Sequence, residues 1–499
     1  ALCRSSLYAS RTLVPGEEFE TVSSELLNLL KKRGYEASAV KASLGIDPIG
    51  TLAQTGRLKT SIAEACEKGA QISKEVLKEG WQIDTFMADS GPYHMAGATE
   101  AQELGILIAT GVQYLRVLTD AGLSVDEAAL QIAFSMAADA DVSLTIAKFR
   151  AARMMWSAIL KECGASEKIA MRLNGVTSLR MVTVNDPWVN ILRVTAACFA
   201  AGVGGADTIG VLPHDTMLGM SSNFARRIAR NVQIILQEES GLARVSDPAA
   251  GSYAFESITS DLASKAWEYF QKIEEAGGVY AALKGGAIQT NLTSAWELRR
   301  KNIAKRKDAI TGVSEFPDID EKPISNVGAM PPEPIADMPE PGETIKPLAF
   351  HRLAEDFEKL RAFSDACLEK NGARPLVFLG NIGTAADYTA RSTFAKNFFE
   401  AGGIKAVSGP GSSEAVELVA EFKKSGAKIA VLCSTDAKYE AMAAEFAKEL
   451  KDAGATVYLA GRPADSEALQ AAGVTGFIYM GCDALEVLAQ AHLFAGEGA

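Results

Sequence analysis

The side chains best able to move protons or hold a metal ion in this 499-residue chain are four histidines (His94, His214, His351 and His492) and seven cysteines. The cysteines sit at 3, 66, 163, 198, 367, 433 and 482, and the closest two are 35 residues apart. That spacing holds no C-x-x-C redox or zinc pattern, so they read as small core residues of a protein in a reducing compartment. No metal ligand is assigned. Arg226, Arg227 and Arg230 fall on one predicted helix, with Phe224, Ile228 and Val232 on its other face. Surface or interface ion pairing is preferred for them over phosphate binding. Gly204-Gly205 resembles a phosphate loop only superficially, because neither Gly-Lys-Ser/Thr nor G-x-G-x-x-G accompanies it. His94 follows a strand-like segment and precedes Ala96-Gly97-Ala98, where a hydrogen-bonded structural histidine is the preferred reading over a pocket residue. Trp156 and Met155 read as core.

These residues must be positioned by repeated βα units. Strand-like segments at 83–87, 170–174 and 208–212 alternate with helical patterns near 100–122, 141–161, 190–201 and 222–237. Five or six such units predict a (β/α)8 TIM-type barrel whose first strands are missing from this stretch. Eight of the 17 prolines then fall between 317 and 347, which predicts an extended linker laid over a surface. A helix follows at 351–370. Apolar runs at 375–379, 404–407, 429–433, 457–460 and 477–480, with helix-like stretches such as 412–424 and 438–453 between them, predict a flavodoxin-like doubly wound domain. The expected divisions are therefore 1–312, 313–373 and 374–499.

Composition limits the function classes. A hydrophobic fraction of 48% with 22% charged residues is that of a folded globular protein rather than a disordered chain. The net charge of −12 repels phosphate backbones and anionic membranes, so nucleic acid is not an expected partner. The longest small-and-apolar run, 194–206, is short of the roughly 20 residues that a membrane helix needs. A cytoplasmic location is expected. The opening ALCRSSLYASRT is Arg- and Ser-rich but lacks a long amphipathic stretch, and is read as an internal starting point rather than a transit peptide.

Five blocks carry a family resemblance: PYHMAGATEAQELGILIATGVQYLR (92–116), AKFRAARMMWSAIL (147–160), TSLRMVTVNDPWVN (177–190), FARRIARNVQIILQEES (224–240) and RVSDPAAGSYAFE (244–256). In order and spacing this chain resembles the methylmalonyl-CoA mutases over about 35–499. The resemblance implies an adenosylcobalamin-dependent radical rearrangement of (R)-methylmalonyl-CoA to succinyl-CoA. It also implies a barrel around the acyl-CoA and a second domain whose D-x-H-x-x-G histidine binds cobalt.

Measured against that pattern, the chemistry-bearing positions are altered. The stretch matching K-x-G-Q-D-x-H-x-x-G runs from Asn381 to Ala390, with Asn381 for the lysine, Ala385 for the aspartate, Asp387 for the cobalt-binding histidine and Ala390 for the glycine. Asp387 is expected in the first turn of a helix, where the dipole favours a carboxylate. The later Ser-Leu-Ala-Gly-Gly loop reads Cys433-Ser434-Thr435-Asp436-Ala437, without its glycine pair. In the barrel, the histidine assigned to the substrate thioester falls on Gly210, with His214 four residues later and Asp215 matching; the glutamine and tryptophan positions are Val176 and Arg180. The loop after His94 is also shorter than in catalytic chains. The pattern, with SLGIDPIGTLAQTG at 43–56, is similar to the small (β) non-catalytic subunit of the heterodimeric bacterial enzymes. No catalytic or cofactor-binding residue is expected on this chain; adenosylcobalamin and acyl-CoA are expected in the holoenzyme, with the large subunit as partner. Two other functions compete: a self-sufficient mutase acting on methylmalonyl- or ethylmalonyl-CoA, and a CoA-binding regulatory barrel.

Overall fold

The computed structural model describes residues 11–324, 327–329 and 340–495. The chain divides into two compact units. One comprises Ala1–Met181, Ile191–Trp296 and Val327–Arg352, the other Val182–Asn190, Glu297–Asn326 and Leu353–Ala499.

In the first unit, β1 (Arg11–Thr12), β2 (Lys41–Ile46), β3 (Gln82–Asp89), β4 (Ile132–Ala138), β5 (Arg172–Thr177) and β6 (Thr208–Gly210) form one parallel sheet in the order β1-β2-β3-β4-β5-β6. Each strand lies beside its neighbour in sequence, which requires every helical crossover to run the same way. Among the described residues this sheet has six strands, against eight in a complete barrel. All seven residues of β4 are buried, as in a parallel strand covered on both faces. The helix after β3, α1 (Glu100–Asp120), begins on a capping box. The amide of Gln102 donates to Thr99 Oγ1 at 3.3 Å, and the Thr99 amide donates to Gln102 Oε1 at 3.0 Å. The helix after β4, α2 (Val142–Glu162), is capped by Asp141, whose carboxylate accepts from the Leu144 amide at 3.0 Å.

The core between these elements is close-packed. Trp156 and Met155 are 1% and 3% exposed, as expected, and the Trp156 ring lies edge-on to Phe134 with centroids 4.8 Å apart. Gly111 on α1 backs onto this pair, and a Cβ there would lie 2.6 Å from the Phe134 ring. Only glycine permits that approach. β5 starts two residues later than expected and continues through Gly175 to Thr177. Glycine reads as a strand breaker, but here Phe149 and Ala201 occupy the space of its missing side chain.

Prolines 331, 332, 334 and 339 lie outside the described residues. The chain beyond them runs along the first unit. Glu343–Thr344 pairs antiparallel with Arg57–Leu58, Leu348 N–H donates to Ala53 O at 2.8 Å, and the His351 ring stacks on Trp296 at 4.4 Å.

The helix α3 (Asn223–Ile234) corrects one expectation. Its buried face is Ala225, Ala229 and Val232, while Phe224 is 47% exposed beside the Arg227 guanidinium. The cysteine expectation is corrected at Cys163, which is exposed at the C-terminal end of α2, whereas Cys66, Cys198, Cys367 and Cys433 are buried.

The second unit holds β7 (Leu376–Asn381), β8 (Lys405–Ser408), β9 (Ile429–Cys433), β10 (Thr456–Ala460) and β11 (Val474–Ile478), all parallel, in the order β8-β7-β9-β10-β11. The order reverses at β7, as in a doubly wound sheet. β11 lies earlier than the apolar run at 477–480, because its pairing with β10 runs from Val474 to Ile478. Met480 falls beyond that pairing and is 89% exposed. Among the described residues, no helix is long and apolar enough to cross a membrane.

Removing the ring at the centre of the first core should be costly. Trp156→Ala is expected to lose about 3–5 kcal/mol of unfolding free energy in a urea titration. The control is Met154→Ala, one turn-face away and 49% exposed, which should change little.

Candidate functional site

Parallel strands place their C-terminal ends on one edge, and the loops leaving β3, β4 and β5 bring a cluster of polar side chains together there. The loop after β3 supplies Ser90 and His94, that after β4 supplies Asp139, and that after β5 supplies Ser178 and Arg180. From the helices behind come Glu103 on α1 and Lys148 on α2. Glu103, His94, Lys148 and Arg180 are each no more than 1% exposed.

Glu103 is the hub. Its carboxylate accepts from Ser90 Oγ at 2.7 Å, Lys148 Nζ at 2.8 Å, His94 Nδ1 at 3.0 Å and the Ala137 amide at 3.3 Å. Because a carboxylate only accepts, the neutral imidazole carries its proton on Nδ1, and Nε2 accepts the Ser178 hydroxyl at 2.7 Å. Arg180 donates from Nη1 to the carbonyls of His94 (3.1 Å) and Ala98 (3.0 Å), and from Nη2 to Asp139 Oδ2 (3.2 Å).

Burial works against charge on Glu103, but Lys148 and His94, through their charge and hydrogen bonds together, outweigh it and hold the carboxyl well below the usual range. Burial, reinforced by Arg180, pushes His94 below its ordinary value despite Glu103. Asp139 is also held low: burial works against its charge, but Arg180, the neighbouring cationic groups and the Ala140 amide together overcome it. The order Ser178–His94–Glu103 is that of a nucleophile, base and orienting carboxylate. Yet Ser178 is 2% exposed, so its hydroxyl is buried within the cluster. The imidazole, both carboxylates and the ammonium are engaged with one another.

The other sequence candidates are not brought to this cluster. Gly210 ends β6, and its nearest non-adjacent neighbour is the Val176 side chain, 3.7 Å from where a Cβ would stand. His214 is buried edge-on to Phe224, and Asp215 accepts from the Ser222 amide at 3.0 Å. Gly204-Gly205 closes the helix Val189–Val203, with Gly204 against Phe149. Arg226, Arg227 and Arg230 are exposed on α3, and among the described residues none of them is ion-paired within the chain. His492 is buried, with Nε2 on Gly402 O at 2.8 Å. Sequence reading passed over Glu103, Lys148, Asp139 and Ser178. The available signal was a charged residue on an otherwise apolar helical face: Lys148 sits between Ile146 and Phe149, and Glu103 heads the run LGILIATGV.

In the second unit, Asp387 stands in the first turn of α4 (Ala385–Ala401), as expected, and closes a capping box with Thr384. Its Oδ2 accepts from the Thr384 amide and hydroxyl, both at 2.8 Å, which holds the carboxyl below its usual range. The expected helix at 438–453 is present as a continuous helical run from Asp436 to Asp452 that widens into a π-turn at Tyr439–Ala443. There the Tyr439 hydroxyl accepts from the Ser434 amide at 2.9 Å and lies 3.0 and 2.9 Å from the carbonyls of Leu432 and Ala460. Arg391 lies over the Tyr439 ring and pairs with Asp436 at 2.6 Å. These side chains fill the ends of β9 and β10.

Two measurements test the cluster. Glu103→Gln leaves Lys148 buried without its counter-charge and is expected to cost about 3–5 kcal/mol in urea unfolding. The second is a pH profile. The unfolded chain protonates His94 below about pH 6.5, whereas the folded chain resists until lower pH, so the contribution of His94 is fully present above that pH and lost below it. The stability advantage of the native chain over His94→Gln should therefore shrink on acidification, by up to about 1.4 kcal/mol per pH unit.

Residues 16–336 match the family model described as methylmalonyl-CoA mutase. The chain is 45% identical to the methylmalonyl-CoA mutase small subunit of Streptomyces virginiae, over 95% of this chain and 74% of that protein. Against the small subunit of Propionibacterium freudenreichii it is 38% identical over 93% of this chain and 70% of that one. To the Escherichia coli methylmalonyl-CoA mutase it is 36% identical, over only 45% of this chain and 32% of the other. The likeness to small subunits spans both units, and on those grounds this chain belongs to the methylmalonyl-CoA mutase family of isomerases, as a subunit of the small type.

Proposed function

We propose that this chain is the non-catalytic half of a cytoplasmic heterodimer, supporting a catalytic large subunit that converts (R)-methylmalonyl-CoA to succinyl-CoA. The observation that carries this reading is the strand-end cluster of the first unit: a folded, buried, charge-paired assembly whose imidazole, carboxylates and ammonium are engaged with one another. In this reading the six-stranded sheet belongs to a TIM-type barrel within 1–312. Residues 313–373 form the linker, and 374–499 form a flavodoxin-like domain of the cobalamin-binding kind. An obligate interface would bury about 2,000 Å² or more and resist separation without denaturant.

The family resemblance implies adenosylcobalamin, which supplies the radical when bound to the mutase. The residues of this chain do not fit it. Asp387 offers oxygen where cobalt needs an imidazole nitrogen, and both of its contacts serve the helix cap. Ala385 supplies no carboxylate to orient such an imidazole. Tyr439 fills the strand ends where the glycine pair would leave room. The cofactor is therefore assigned to the large subunit.

The deciding assay measures succinyl-CoA formation with this chain alone, the large subunit alone, and both together. Full turnover is expected only from the pair, and turnover by this chain alone would overturn the proposal. An absorbance titration with adenosylcobalamin should show no histidine-ligated, base-off spectrum. Asp387→His should not restore one, because Ala385 and Tyr439 remain.

A further inference from the structure

Arginine is rarely buried completely, and then only when paired. Arg180 is 1% exposed at the strand ends of the six-stranded sheet. Its guanidinium ties three loops together. Nη1 holds the carbonyls of His94 and Ala98 after β3, Nη2 holds Asp139 after β4, and the side chain itself comes from the loop after β5. Nε is buried without a hydrogen-bond partner in the described structure, so the site receives this cation despite a donor it cannot satisfy.

We propose that Arg180 is a gate residue: it occupies the strand-end mouth as a built-in cation, claims Asp139, and seals His94 from the acyl thioesters on which the family acts. The inference rests on the accessory-subunit reading for its consequence, since it gives the reason the barrel end of this chain is closed. Asp139 Oδ2 is the shared atom, 3.2 Å from Arg180 Nη2 and 3.7 Å from His94 Nε2. With the guanidinium in place, the carboxylate is neutralised by arginine and the imidazole stays neutral. Without it, the nearest group able to carry a positive charge against Asp139 is His94 itself. The charged and titratable groups around His94 are Glu103 on α1, Lys148 on α2, and Asp139 and Arg180 in the loops, with Glu100 3.9 Å from Arg180. Deleting Arg180 removes a cation that disfavours protonation of His94 and frees an anion that favours it. Both changes raise the affinity of His94 for a proton.

The test uses the full chain and no substrate. Arg180→Gly opens a guanidinium-shaped slot lined by two carbonyls and a carboxylate. Two properties of His94 are followed: its imidazole titration by NMR, and its carbethoxylation by diethyl pyrocarbonate, located by peptide mass spectrometry. In the native chain His94 should resist modification and titrate below its ordinary range. In Arg180→Gly, modification should be about tenfold faster or more, as expected when local access replaces burial, and the titration should move to higher pH. Methylguanidinium should reverse both effects, and tetramethylammonium at equal ionic strength should reverse neither. Equal protection of His94 in the native and variant chains, or equal rescue by the two cations, would overturn the gate. If Arg180→Gly does not fold, Arg180→Lys carries the test. It keeps the charge but cannot span the two carbonyls and Asp139 together, so His94 should still become reactive, and unchanged reactivity in the folded Lys variant would overturn the proposal. Turnover by this chain alone would sink the accessory reading while leaving these substrate-free measurements to be judged separately.

Discussion

One buried carboxylate organises the end of the first unit. Glu103 lies on a helix in an otherwise apolar stretch, and an uncompensated charge there would cost several kcal/mol. It is tolerable because Lys148 arrives from the next helix at 2.8 Å, and because a hydroxyl, an imidazole and an amide complete its shell. That requirement dictates much of what surrounds it. The loop after β3 must turn so that Ser90 and His94 both face α1. The strand β4 must end where Ala137 can donate, and Lys148 must point inward from α2. His94 is thereby committed to one tautomer, whose Nε2 is met by the Ser178 hydroxyl.

The same physical logic recurs in the second unit with different residues. In open and closed parallel sheets alike, the C-terminal edge collects loops and is the usual place for ligands. In each unit of this chain that edge is filled by the protein's own side chains: Arg180 between strand-end carbonyls in the first, and Tyr439 across Leu432 and Ala460 in the second. Both fillings satisfy backbone groups that a ligand or water would otherwise meet. A fold can therefore keep its strands, helices and core while its pockets become core. What such a chain retains is shape, and the proposed accessory role uses shape.

The limits of the sequence reading follow from particular residues. The helices at 100–122 and 141–161 were legible from the helical spacing of their apolar residues, and the structure adds the caps at Thr99 and Asp141. β9 was located to the residue, since a run of five buried apolar residues has no competing interpretation. β11 was displaced because Thr475 and Gly476 hide a strand whose pairing with β10 defines it. The face of α3 was misjudged because Phe224 is apolar but lies outward beside Arg227, leaving the small residues Ala225 and Ala229 to do the packing.

The sequence by itself determined the family, the alternation of strands and helices, and an aspartate rather than a histidine at position 387. Each of these is a matter of residue type and spacing along the chain. It also placed Arg180 at a position where a large aromatic was expected, without saying what an arginine could do there. Only the tertiary structure decided that Glu103, Lys148, His94, Ser178, Asp139 and Arg180 form one assembly, because their separations in sequence, up to 86 residues between Arg180 and His94, carry no periodic signal. Charge pairing in a low-dielectric interior depends on ångström-scale distances between side chains from different elements. Those distances are set by the packing of α1 and α2 on the sheet, and by nothing local to any one residue.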